Sequence, residues 1–133
     1  QIQNLFEHPN PPIALIGNRP NPEAYVAHAD AYICTSKTES FGNAIVEALA
    51  TGTPVISADA PYGPREILED GKYGTLVPVG DEAALAQAME NHLEGNITFN
   101  AEFLQARAKD FTAEALFPQF EKYLNQASNF NKN

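Results

Sequence analysis

At 133 residues, with hydrophobic residues at 44%, the chain is long enough for one domain with a sizeable buried core, and disorder is excluded as its default state. Eight Lys and Arg against 17 Asp and Glu give a net charge of −9, which argues against nucleic acid or an anionic membrane surface as its main partner. One cysteine excludes an internal disulfide and a cysteine metal cluster. Residues 1–12 are polar and proline-rich and read as a leading loop with at most a short helix. Gln1-Ile2-Gln3-Asn4 lacks the pattern of a signal peptide, and no run approaches the roughly 20 apolar residues of a membrane span, so the cytoplasm is the expected compartment. In that compartment the sequon Asn96-Ile97-Thr98 is a chance match.

Ile13-Ala14-Leu15-Ile16 is a short apolar run ended by Gly17-Asn18, the pattern of a buried parallel strand. Pro22 suits the first turn of a helix reaching about His28, with Asn21 as its cap. Ala31 to Thr35 reads as the next strand, with Cys34 a buried strand residue rather than a nucleophile. Phe41, Ala44, Ile45, Ala48 and Leu49 then recur with the spacing of an amphipathic helix, stopped at Gly52 as a left-handed cap residue. Pro54–Ala58 is a third strand, and Pro64 opens a short helix to about Glu69. Gly74–Val77 is a fourth strand. Asp81 caps a helix from Glu82 to about Glu94, whose Leu85, Met89 and Leu93 share a face expected in the core. A helix over Ala101–Lys109 follows. Thr112 caps a last helical stretch that Pro118 should kink or restart, and the tail from Gln126 should fray.

Short apolar strands alternating with helices imply a doubly wound parallel sheet, an α/β fold with C-terminal helices. Ligands of such sheets lie outside the carboxyl ends of the strands. Three loops are expected there: Gly17-Asn18-Arg19, Thr35 to Gly42, and Ala58 to Pro64. Glu39 and Glu47 bracket the start of the central helix. At about 100° per residue, Asn43 and Glu47 project from the face opposite the apolar stripe. Unpaired N–H groups at the helix start near Gly42 suit a phosphate, and glycine allows close approach. Glu47 can accept two hydrogen bonds from a vicinal diol such as a ribose, and Glu39 from the hydroxyls of a sugar beyond the phosphates. By themselves the two glutamates read first as a solvated surface pair. Arg65 could reach a phosphate or buttress its loop by ion pairing, Asp59 reads as a turn former, and Tyr62 could flank a sugar or pack. His8, His28 and His92 fit no metal spacing, so no metal site is expected.

The ordered set Ala29-Asp30-Ala31-Tyr32-Ile33-Cys34-Thr35-Ser36, Glu39-Ser40-Phe41-Gly42-Asn43, Glu47 through Ile56, Gly63-Pro64-Arg65-Glu66-Ile67 and Gly74 through Asp81 resembles the C-terminal, donor-binding domain of GT-B retaining glycosyltransferases of the family 4 (group 1) type. The similarity runs from about Ile13 to Leu93. It implies a Rossmann-like half of a GT-B fold over residues 1–133, a piece of a longer enzyme whose N-terminal acceptor domain and diphosphate-binding basic pair lie outside it. The piece alone is expected to be inactive. The resemblance implies that Glu39 contacts the donor sugar at the reaction centre and Glu47 the ribose. The Ser40, Phe41, Gly42 and Asn43 backbone would lie against sugar and diphosphate, and Gly17, Asn18 and Arg19 near the base. The co-substrate would be a UDP- or GDP-sugar, with no permanently bound cofactor. The acceptor would be a glycan or lipid-linked, as in bacterial cell-surface polysaccharide synthesis, with the full-length enzyme in the cytoplasm or at the inner face of the membrane. The alternatives are a non-catalytic nucleotide-binding or assembly module of the same fold, and another GT-B enzyme such as a sugar-nucleotide epimerase, which lacks this motif pattern.

Overall fold

The computed structural model describes residues 13–130, with side chains as far as residue 126; the proline-rich leading segment lies outside the described residues. In chain order the elements are α1 (Pro22–Val26), β1 (Tyr32–Cys34), α2 (Asn43–Thr51), β2 (Val55–Ala58), α3 (Pro64–Ile67), a 3-10 turn (Glu69–Gly71), β3 (Thr75–Val77), α4 (Glu82–Leu93), α5 (Ala101–Lys109) and α6 (Ala113–Phe130). The three strands form a parallel sheet in the order β1-β2-β3. Ile33 lies opposite Ile56, and Ser57 opposite Leu76.

Strand residues alternate between faces, and this divides the core in two. Tyr32, Cys34, Val55 and Leu76 meet Ile45, Ala48 and Leu49 of α2 and Leu104 and Ala108 of α5. Ile33, Ile56 and Val77 meet Ala84, Leu85 and Ala88 of α4 on the other face. Helices thus cover both faces of a parallel sheet, as the alternating pattern predicts. All four residues of the central strand β2 are buried. Within α2, Ile45, Ala48 and Leu49 are fully buried, the two larger ones contributing about 1.5–3 kcal/mol each. Gly52, at φ 81, ends α2 as expected, its N–H donating to Leu49 and that of Thr53 to Ala48.

Four local expectations change. Ile13–Ile16 is not a strand: a strand needs a ladder partner, none pairs with it among the described residues, and all four residues are exposed. Asn21 does not cap α1 through its side chain; its backbone carbonyl accepts from Ala24 instead. Met89 and Leu93 are exposed, because α4 meets the sheet through its small residue Ala88 and half-buried Ala84 and Leu85. Finally, α6 runs through Pro118 and on to Phe130 instead of restarting or fraying. Pro118 removes one N–H donor, but Glu114, the residue one turn earlier, is exposed and water can satisfy its carbonyl. The N-caps of α4 and α6 agree with the sequence: Asp81 accepts from the Ala84 N–H at 2.9 Å and Thr112 from that of Ala115 at 3.4 Å.

Candidate functional site

The mouth of α2 is built around Gly42, which is buried and sits at φ 109, ψ 49. Only glycine tolerates that backbone easily, and no side chain caps the helix. The Gly42 carbonyl accepts from Ile45 and Val46, while the first-turn N–H groups of Asn43 and Ala44 have no intrahelical acceptor. Asn43 and Glu47 are exposed, as the helical period requires. Phe41 divides its duties. Its ring packs edge-on against Phe111 at 5.6 Å in the larger core cluster, so only its backbone can face a ligand. Ser40 is exposed and Glu39 half-buried just ahead of it.

Glu39 and Glu47 share one electrostatic neighbour, the Tyr32 phenol. Burial, then Cys34, then the charges of Glu39 and Glu47 raise the pKa of Tyr32 above its ordinary value. Both carboxylates therefore stand within electrostatic reach of the same strand residue, on the α2 side of β1.

The loop after β2 abuts this mouth. The Asp59 N–H extends the sheet by donating to Val77 at 2.8 Å. The Asp59 carboxylate accepts from both Nε and a terminal nitrogen of Arg65, whose other terminal nitrogen reaches Asp70 at 3.0 Å. These partners, Asp59 foremost, raise the Arg65 pKa further. Arg65 and Asp59 thus buttress the turn. Tyr62 is exposed at φ 62, and Gly63, at φ 105, is buried against the Phe41 backbone.

A cleft of about 290 Å³ opens at the carboxyl ends of all three strands, lined by Thr35, Lys37, Ala58, Pro78, Asp81 and Leu85 among others. This is where a parallel sheet offers space for a ligand. Its third lip is the Pro78–Glu82 loop after β3. Gly17, Asn18 and Arg19 are exposed and do not line it. The sequence placed Gly80 and Asp81 at a helix cap and in the run that carries the resemblance, but not at a ligand site. Their place at the end of β3 was the clue to this second role. Among the described residues no three His, Cys, Asp or Glu side chains form a group able to hold a metal, and no helix is long and apolar enough to cross a membrane.

A family model described as glycosyl transferases group 1 matches residues 1–95. The phosphatidyl-myo-inositol mannosyltransferase of Mycobacterium leprae is 44% identical over 75 residues, covering 56% of this chain and 20% of that protein. The N-acetylgalactosamine-N,N'-diacetylbacillosaminyl-diphospho-undecaprenol 4-alpha-N-acetylgalactosaminyltransferase of Campylobacter jejuni is 32% identical over 114 residues, 84% of this chain and 31% of that protein. Among solved structures, the apo lipopolysaccharide outer core galactosyltransferase WaaB superposes with a TM-score of 0.75 at 22% identity, over 84% of this chain and 32% of that one. The likeness to WaaB is one of fold, of the GT-B type. The chain spans less than a third of the length of these curated relatives.

Proposed function

Because the chain belongs to the glycosyl transferases group 1 family, we propose that it is the nucleotide-sugar-binding part of an enzyme that transfers a hexose-type sugar, with retention of configuration, from a UDP- or GDP-sugar to a glycan or lipid-linked acceptor. The observation that carries this reading is the mouth of α2: a glycine start with free first-turn N–H groups, and Glu47 one turn inside on the exposed face. The N–H groups and the helix dipole take the diphosphate and stabilise the charge that develops on it as it departs. Glu47 accepts from the ribose diol, a charge-assisted pair of hydrogen bonds. Glu39, ahead of the mouth, accepts from a hydroxyl of the donor sugar and orients its anomeric carbon; it is assigned no role as a general base. Gly17, Asn18 and Arg19 serve the base end of the nucleotide.

The names of the relatives support the substrate class, since they describe transfer of mannose, galactose and N-acetylhexosamines, in several cases to lipid-linked or lipopolysaccharide acceptors. Nucleotide-sugars made in the cytoplasm would be used there or at the inner membrane face. Calorimetry of the intact gene product with UDP and GDP tests the site. Glu47→Ala should weaken binding by roughly 1.5–3 kcal/mol, the worth of hydrogen bonds to a charged group. Equal affinities in parent and variant would remove Glu47 from the nucleotide site.

A further inference from the structure

We propose that Tyr62 is a stacking platform for the sugar carried by the nucleotide donor, an inference that rests on the donor-site reading above. The starting observation is a conflict in the backbone. Tyr62 holds φ 62, the left-handed region that a bulky L residue rarely occupies. Packing does not compensate it, because the side chain is 82% exposed. Backbone strain without packing gain is a pointer to function.

The loop around it is held firmly. Ala60 and Pro64 are buried on either side, and Arg65 clamps Asp59 at the start of the turn. Gly63 sits so close to the Phe41 carbonyl that no other residue fits there without a shift. Between these anchors only Pro61 and Tyr62 face solvent. The aromatic ring is therefore displayed from a fixed base.

Its neighbours define what it can meet. Gly63 touches Phe41, the residue directly before the glycine that opens α2. Glu47, on the nucleoside side, lies a turn further into the helix. A diphosphate on the first-turn N–H groups thus has its ribose toward Glu47 and its sugar toward the mouth, where the Gly63–Phe41 contact anchors the Tyr62 loop. A sugar ring presents an apolar C–H face and a hydroxyl rim, and tyrosine offers an apolar ring with a polar tip to match them.

The test compares the parent, Tyr62→Phe, Tyr62→Ala and Tyr62→Gly forms of the intact gene product by calorimetry. The probes are UDP, GDP, UDP-galactose, UDP-N-acetylglucosamine and GDP-mannose. For whichever nucleotide-sugar the parent binds, the Ala and Gly variants should lose roughly two- to tenfold in affinity, the range of an aromatic contact. Phe should stay near parent, and affinity for the bare nucleotide should not change. The Gly variant should also melt above the Ala variant, since glycine accepts the left-handed backbone. An Ala variant with parental affinity for the nucleotide-sugar overturns the proposal, as does an equal loss for nucleotide and nucleotide-sugar. A parent that binds neither UDP nor GDP refutes the donor-site reading itself, and the proposal with it.

Discussion

Gly63 lies against the carbonyl oxygen of Phe41 so closely that a β-carbon built on Gly63 would stand 1.7 Å from it. That contact joins the loop after β2 to the glycine turn opening α2, two segments that strand order alone would leave independent. Gly63→Ala combines a steric clash with a φ of 105. The expected loss is about 2–4 kcal/mol, read from urea denaturation. Gly80→Ala is the control, with φ 78 but nothing within 4 Å, and should cost about 1 kcal/mol.

Arg107 is a strap across the larger core. Its guanidinium donates to the carbonyls of Glu66 at 2.7 Å and Ile67 at 2.9 Å, at the end of α3, and lies over the rings of Tyr73 and Phe111. A lysine ammonium cannot reproduce the fork and the stacking together. Arg107→Lys should therefore cost about 2–3 kcal/mol in chemical denaturation, although the formal charge is kept. Its exposed partner Asp110 contributes little, and Asp110→Asn should leave stability near parental.

Thr53 ties α1 to the end of α2. It is buried, its hydroxyl donates to the Val26 carbonyl at 2.8 Å, and the Thr51 hydroxyl lies 2.8 Å away. Thr53→Val preserves shape but removes one of the two donors to the Val26 carbonyl, which still accepts from the Ala29 N–H. A loss of about 1 kcal/mol is expected in chemical denaturation, the net worth of one hydrogen bond.

A pH dependence follows from His92. Burial lowers its pKa below the ordinary 6.5, and its Nε2 lies 3.0 Å from the Thr75 hydroxyl, with Phe99 stacked on the ring. The unfolded chain binds the proton more readily, so stability rises with pH through this range. The contribution is present above pH 6.5 and is lost as pH falls below it toward the lower folded pKa. Melting temperatures between pH 5 and 8 should show this slope in the parent and a flatter one in His92→Gln.

The elements from β1 to α5 were legible in the sequence because their signals are local. Gly52 and Asp81 mark helix ends whatever else the chain does, and the short apolar run Val55-Ile56-Ser57-Ala58 reads as a strand buried on both faces, which it is. Ile13–Ile16 has the same composition and fails, since a strand is defined by its partner and hydropathy is silent about partners. The site divides along the same line. Asn43 and Glu47 follow from helical periodicity, whereas the Gly63–Phe41 contact joins residues 22 positions apart, and a tyrosine does not signal the positive φ of Tyr62. Arg65 was ambiguous for this reason too. Its choice of Asp59 and Asp70 depends on how a turn closes, which spacing does not reveal.

The two faces of the sheet are unequal, and this bears on motion. On one face α2 is locked by Ile45, Ala48 and Leu49, with α5 packed behind it; on the other α4 contributes Ala88 as its one buried residue. The free energy of local opening scales with the apolar surface it exposes, so α4 lifts from the sheet more cheaply than α2. Native-state hydrogen exchange should find the amides of α4 opening well before those of α2. The Pro78–Asp81 lip is continuous with α4, while Gly42 and Glu47 ride on α2. The Pro78–Asp81 side of the cleft is therefore a yielding one that can give way as a ligand enters or leaves, while the mouth of α2 stays fixed.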